Sequence, residues 1–212
     1  MTRAHPGDMS LTMAYELHRW EEYFQKVQGR TPRPLLLDVL ARFAEQPVPS
    51  SRSAIDLGCG DGTESRVLLE RGWSVLAIDG HPVAISRLMA NVPPDHLERL
   101  QTQVAVYEDV LLHQTNLVLA CFSLPFCHPE HFDELWNKVV DAILPGGRFA
   151  GHFFGVRDSW AGDPAMTFHT EDQIRALLHG FEFELFDEQD EDGLAASGPK
   201  HWHFFTIIAR KR

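Results

Sequence analysis

The chain has 212 residues, 44% of them hydrophobic, enough to bury one substantial core and near the upper end of what a single compact domain holds. A formal net charge of −11 and a sequence pI near 5.5 repel phosphate backbones and anionic lipid, so nucleic acid and membrane surfaces are not expected partners. No apolar run reaches the roughly eighteen residues of a membrane span, the first residues lack a basic-then-apolar leader, and Cys59, Cys121 and Cys127 match neither a disulfide framework nor paired zinc knuckles, so the chain reads as cytoplasmic with reduced thiols.

Residues 10–44 read as two helices, the second marked by Leu35, Leu36, Val39, Leu40 and Phe43 at helical spacing after Pro32 and Pro34. Tyr15, Trp20, Tyr23 and Phe24, followed by Arg30 and Arg33, either pack these helices on a sheet or form a lid, in which Tyr23 or Arg30 would help exclude water. A Pro/Ser stretch over 47–53 precedes a buried strand, Ala54-Ile55-Asp56-Leu57, that turns at Gly58. Short apolar runs then alternate with helical segments at 74–79, 82–91, 100–106, 117–124, 129–144 and 148–154, the pattern of βαβ units in a mostly parallel sheet. A helix over 170–179 leads to two β-rich segments, 181–186 and 202–209, joined by an acidic loop over 187–199 that predicts a terminal hairpin with a long connection. Arg210-Lys211-Arg212 reads as a solvated tail. A single domain over 1–212 is expected, with 1–49 as a helical cap and 50–212 as the ligand-binding core.

The sharpest feature is Asp56-Leu57-Gly58-Cys59-Gly60-Asp61-Gly62, which ends a strand and opens a helix. Glycines there allow a tight turn and close approach of a ligand to helix amides. A dinucleotide would bring its pyrophosphate against Asp56, and the spacing is Gly-x-Gly-x-Gly rather than Gly-x-Gly-x-x-Gly, so the turn suits a cationic ligand better than NAD. The next strand ends in Asp79-Gly80-His81, at about the twenty-residue distance expected of a carboxylate that accepts ribose hydroxyls.

These two segments resemble the class I S-adenosylmethionine-dependent methyltransferases, and the resemblance continues through Leu144-Pro145-Gly146-Gly147-Arg148 and Phe205 to Lys211. It implies an α/β, Rossmann-like three-layer sandwich, with a seven-stranded, mostly parallel sheet of order 3-2-1-4-5-7-6 and strand 7 antiparallel. The implied cofactor is S-adenosylmethionine, leaving as S-adenosylhomocysteine, and the implied partner is a small-molecule methyl acceptor, as in methyltransferases of the tellurite-resistance type. The cofactor set would be Asp56, Gly58, Cys59, Gly60, Gly62, Asp79, Gly80, His81 and Phe122, with Glu108 or Asp109 at the adenine. Asn116 and Leu144 depart from the family, which often has an acid and a basic residue there.

Tyr23, Arg30, Ser123, Arg157 and Trp160 are the candidate acceptor contacts, Ser123 lying after the fourth strand and Arg157 and Trp160 after the fifth, at the edge where doubly wound sheets bind ligands. His152, His201 and His203 are candidate general bases, and alternation places His201 and His203 on one face of the last strand with Trp202 on the other. Cys127-His128-Pro129-Glu130-His131 has ligand-capable side chains, but Pro129 and the apolar spacing after it mark a helix start, and no metal is expected.

Overall fold

The structure, a computed structural model, describes residues 20–45 and 52–212. Tyr15 and most of the expected first helix and Pro/Ser stretch lie outside them. The elements are α1 (described over 20–26), α2 (Pro34–Ala44), β1 (Ser53–Leu57), α3 (Thr63–Glu70), β2 (Ser74–Asp79), α4 (Pro82–Asn91), β3 (Leu100–Val104), β4 (Thr115–Ala120), α5 (Pro129–Ala142), β5 (Ile143–Phe154), α6 (Glu171–Leu177), β6 (Phe181–Ala195) and β7 (Gly198–Lys211). Short 3-10 turns lie at Pro94–Arg99, Tyr107–Asp109 and Leu124–Phe126.

The strands form one sheet of order β3-β2-β1-β4-β5-β7-β6. Pairing is parallel from β3 through β5, and β7 runs antiparallel to both of its neighbours. Strands β1, β2, β4 and β5 are buried on both faces, hence their apolar runs, whereas the edge strand β3 is largely exposed. Leu36, Val39, Leu69 and Leu88 from α2, α3 and α4 share one core with Ala54, Leu117 and Ile208, while Leu135, Trp136, Ile174 and Leu178 share the other with Ile55, Val118 and Ile207. Thus α2, grouped with the cap in the sequence, is a sheet-covering helix. Pro34 at its start and the five apolar residues at helical spacing explain why it forms and which side it buries.

The terminal hairpin differs from the sequence expectation. Residues 187–199 are not a long loop: β6 continues to Ala195, β7 begins at Gly198, and only two residues turn between them. Acidic residues continue the strand because hydrogen-bonding partners face them, with Asp190 opposite His203 and Asp192 opposite His201 in register and Arg157 bonded to Asp190 and Glu188. Nor is the C-terminus a free tail, since Lys211 Nζ donates to the carbonyls of Val140 (2.6 Å) and Ile143 (2.8 Å), where a cation meets the negative end of α5. The Pro-Gly-Gly turn lies inside β5 as a bulge between the Thr115–Ile143 and Leu117–Arg148 pairs. Asn116, one of the departures, uses its side-chain oxygen to accept the Ser53 amide (3.0 Å) and so pins the start of β1. Among the described residues, no helix is long and apolar enough to cross a membrane.

Candidate functional site

The carboxyl ends of β1, β2 and β4 converge on the glycine turn. The amides of Gly58 and Cys59 both donate to the Ile78 carbonyl (2.8 and 2.9 Å), locking the turn against β2. Gly58 has φ +75°, and a Cβ there would lie 2.3 Å from Ser123 Cβ, so both conformation and space demand glycine. Gly58→Ala is expected to cost about 2–5 kcal/mol from left-handed strain and overpacking, read as a lower thermal midpoint by circular dichroism. A midpoint within a degree of the parent would contradict this packing.

Asp79 faces the turn. Its two oxygens accept from the amides of Gly60 (2.9 Å) and His81 (2.8 Å), and burial still holds its carboxyl above the usual range. Asp56 lies deeper, only 2% exposed, accepting a 2.6 Å bond from the Ser65 hydroxyl in the seam between β1 and α3. Burial, reinforced by neighbouring Glu64, raises its pKa to about 7. Cys59 is buried and its thiol is pushed well up by burial, which leaves it a packing residue. His81 caps α4, its Nδ1 accepting from the Val83 amide (3.1 Å). Glu108 is turned toward His131 of α5 (3.5 Å), whereas Asp109 is exposed.

Helix α1 bridges the mouth of this cleft. The buried Phe24 ring sits over Gly60 and 5.6 Å from the His81 ring, Trp20 meets Phe126 edge-on at 4.9 Å, and Lys26 Nζ donates to the Ala196 carbonyl at the hairpin turn (3.0 Å). Tyr23 packs edge-on against Trp20 at 5.7 Å. Arg30 forms a two-pronged ion pair with the buried Glu64, which also accepts the Arg33 amide (3.0 Å). Burial pushes the Glu64 carboxyl up, but the bonds from Arg30 outweigh it and hold the group below its usual range. Arg30 therefore anchors the α1–α2 connection to α3. Sequence reasoning missed Glu64, whose place in the first turn of α3 looks like ordinary helix-start chemistry.

At the end of β4, Phe122 takes φ +54°, the only non-glycine residue in the left-handed region among those described. Its ring stacks on His152 at 3.8 Å, meets Phe204 edge-on at 4.9 Å, and carries the Arg33 guanidinium 4.5 Å from its centre. His152 is buried, and burial lowers its pKa to about 3. It is neutral near pH 7 and too weak a base for the role the sequence offered.

The other candidates lie elsewhere. His203 accepts the Arg157 amide at Nδ1 (2.9 Å), so its Nε2 carries the proton it shares with Glu188 (2.8 Å), and both nitrogens are occupied. His201 stands between Asp192 and Asp190, 2.8 Å from each, and these carboxylates raise its pKa. Arg157 binds Asp190 and Glu188 (2.7 and 2.6 Å). These three residues stitch the hairpin on the face opposite Trp202, as alternation predicts for the histidines, and do not meet Phe122. Trp160 lies 6.0 Å from Trp202, which is itself 6.1 Å from Phe122, forming the outer part of an aromatic wall. Ser123 is no pocket residue: it is buried, its hydroxyl donates to the Leu57 carbonyl, and its own carbonyl accepts from the Tyr107 hydroxyl (2.7 Å). His128, Glu130 and His131 come close enough to share an ion, but His128 Nδ1 is used in accepting the Glu130 amide (3.3 Å) at the start of α5.

Residues 54–147 match the methyltransferase-domain family. Among curated proteins, the carboxy-S-adenosyl-L-methionine synthase of Cronobacter sakazakii is 25% identical over 143 residues, 63% of this chain and 57% of that protein. The chain thus spans a little over half the length of such relatives. Among solved structures, TehB from Haemophilus influenzae superposes with a TM-score of 0.71 at 17% identity, covering 91% of this chain and 67% of that one. The 1,6-didemethyltoxoflavin-N1-methyltransferase of Burkholderia thailandensis, solved with 1,6-didemethyltoxoflavin and S-adenosylhomocysteine, gives 0.65 at 19% identity over 100% of this chain and 92% of its own. The chain has the class I, Rossmann-like fold of the S-adenosylmethionine-dependent methyltransferases.

Proposed function

We propose that the protein binds S-adenosylmethionine across the ends of β1, β2 and β4 and directs in-line methyl transfer to a small-molecule acceptor. The carrying observation is the Asp79 carboxylate held against Gly60 of the glycine turn, nineteen positions earlier in the chain. Each Asp79 oxygen keeps a lone pair for a ribose hydroxyl, and Gly80 with the exposed side chain of Val106 offers an apolar slot for adenine. Asp56 lies beneath the turn as a counter-charge for the ligand's ammonium. The bound cofactor supplies a methyl group on a sulfonium, already a good leaving group. The protein's share is alignment and exclusion of water by α1, so the reaction requires no paired nucleophile and base. The toxoflavin methyltransferase, named for a small-molecule acceptor and solved with S-adenosylhomocysteine, supports both halves of this reading.

A second reading comes from the curated relatives, named for making a carboxylated form of the same cofactor. Calorimetric titration with S-adenosylmethionine and S-adenosylhomocysteine is the first test. Micromolar binding is expected, weakened at least about tenfold by Asp79→Ala through loss of two charge-assisted bonds. No binding by the parent would end the methyltransferase reading. Mass spectrometry of turnover mixtures then separates the fates: S-adenosylhomocysteine with a methylated acceptor, a heavier S-adenosylmethionine derivative, or unchanged cofactor, as expected of a non-catalytic binding module.

A further inference from the structure

The sheet face beneath Arg33 carries a group that the fold does not explain. His152 is 4% exposed, and its Nδ1 is buried without a hydrogen-bond partner among the described residues. An unpaired buried imidazole nitrogen costs stability, and a phenyl ring of similar shape would avoid that cost. The ring is held between Phe122, stacked at 3.8 Å, and Phe204, edge-on at 5.7 Å. Phe122 is the residue forced into the left-handed region, a strain that concentrates at binding sites, and both Phe122 and Phe204 are partly exposed. Directly above lies a cation: the Arg33 guanidinium is 4.5 Å from the centre of the Phe122 ring, and its Nε is likewise buried and unpartnered. Partly exposed aromatic rings, one neutral polar atom and one positive charge therefore meet at the carboxyl ends of β4 and β5, beside the glycine turn.

We infer that this cluster selects a planar aromatic acceptor bearing an anionic group, with its ring packing against the partly exposed Phe204 and Phe122 side chains, His152 Nδ1 hydrogen-bonding its heteroatom and Arg33 pairing with its charge. The inference rests on the methyltransferase reading of the adjacent turn. His152 is here a positioning and specificity residue rather than a base, in keeping with the low pKa that burial gives it. In the transfer, the acceptor oxygen or nitrogen forms the new bond to the methyl carbon while the carbon–sulfur bond breaks and its electron pair stays on sulfur. Any proton on the acceptor heteroatom leaves to water.

The test uses the full chain saturated with S-adenosylhomocysteine, titrated with salicylate, 4-hydroxybenzoate and indole-3-carboxylate and followed by tryptophan fluorescence. At least one is expected to bind with a submillimolar Kd. His152→Phe is expected to keep or raise the thermal midpoint and leave S-adenosylhomocysteine binding unchanged, yet weaken the aromatic acid about tenfold. His152→Gln, which restores a hydrogen-bonding atom, is expected to recover most of that loss and serves as the second variant if the phenyl ring does not fit. Arg33→Gln is expected to weaken the acids but not uncharged phenol. If none of the three acids binds at millimolar concentration, or if His152→Phe binds them as tightly as the parent, His152 is a packing residue and the inference is overturned. If S-adenosylhomocysteine itself does not bind, the underlying reading fails first and takes this inference with it.

Discussion

Asp56→Asn is expected to raise the thermal midpoint of the ligand-free protein at pH 8 while weakening S-adenosylmethionine binding tenfold or more. The carboxyl has a pKa of about 7 in the folded protein, against an ordinary value of 3.8. The folded state therefore holds this proton more tightly than the unfolded chain. Stability from the group is greatest below pH 4, declines as pH rises from 4 to 7, and above pH 7 the full penalty of a buried charge remains, of order 4 kcal/mol at most. Asn keeps a partner for the Ser65 hydroxyl and carries no charge, so it removes that penalty. The same substitution removes the counter-charge beneath the turn. A cationic ligand draws the proton off Asp56, so affinity in the parent should climb between pH 5.5 and about 7, by up to tenfold per unit, and then level off. Calorimetry in two buffers of different ionisation enthalpy would count the released proton. The window stays below the ligand's own ammonium pKa, taken as about 7.7–8.0 for an α-amino group. A variant that is less stable at pH 8, with the pH slope of binding intact, would show that Asp56 is merely a structural cap.

Local chemistry carried most of the fold, and the glycine turn on which the strand ends converge, into the sequence. The βαβ alternation, the glycine turn and Asp79 are each written in a few consecutive residues, and their separation in the chain is fixed by one strand–helix–strand unit. Strand alternation likewise separated Trp202 from His201 and His203. The failures share a cause: they depend on partners far away in the chain. Asp187 to Asp192 looked like a loop because charge runs usually solvate, and only their registry against His201, His203 and Arg157 makes them a strand. Ser123 looked accessible because it follows β4, but Gly58, sixty-five residues earlier, leaves room for it to turn inward. Glu64 and Arg30 are separated by 34 positions, and neither carries a local mark of the other. His152 looked like a base by residue type. Its burial, set by β4 and β7, removed that chemistry and left a hydrogen-bonding atom instead.

Asp158→Ala is expected to be among the most damaging single changes outside the glycine turn. Lys200 and Asp158 are an ion pair with almost no solvent contact, their side chains 1% and 0% exposed. The Lys200 ammonium lies 3.9 Å from the centre of the Trp202 ring, 4.1 Å from Trp160 and 4.7 Å from Phe154, so three aromatic faces surround the cation. Asp158 in turn accepts the amides of Trp160 (2.9 Å) and His203 (3.2 Å), tying the segment after β5 to β7. Removing the carboxylate strands a buried ammonium and frees two amides, a loss of about 3–5 kcal/mol, which for a chain of this size lowers the thermal midpoint by roughly 6–20 °C. Lys200→Met is expected to cost less, because Asp158 keeps both amides and a thioether suits an aromatic box. The paired change Asp158→Asn with Lys200→Met should cost less than the sum of its single changes, with a coupling of at least about 2 kcal/mol by denaturant titration. The wall formed by Trp160 and Trp202 should loosen in Asp158→Ala, weakening acceptor binding while S-adenosylhomocysteine affinity at the distant turn stays near the parent value. Additive single changes would mean that the charges are independently satisfied and that the aromatic wall stands without them.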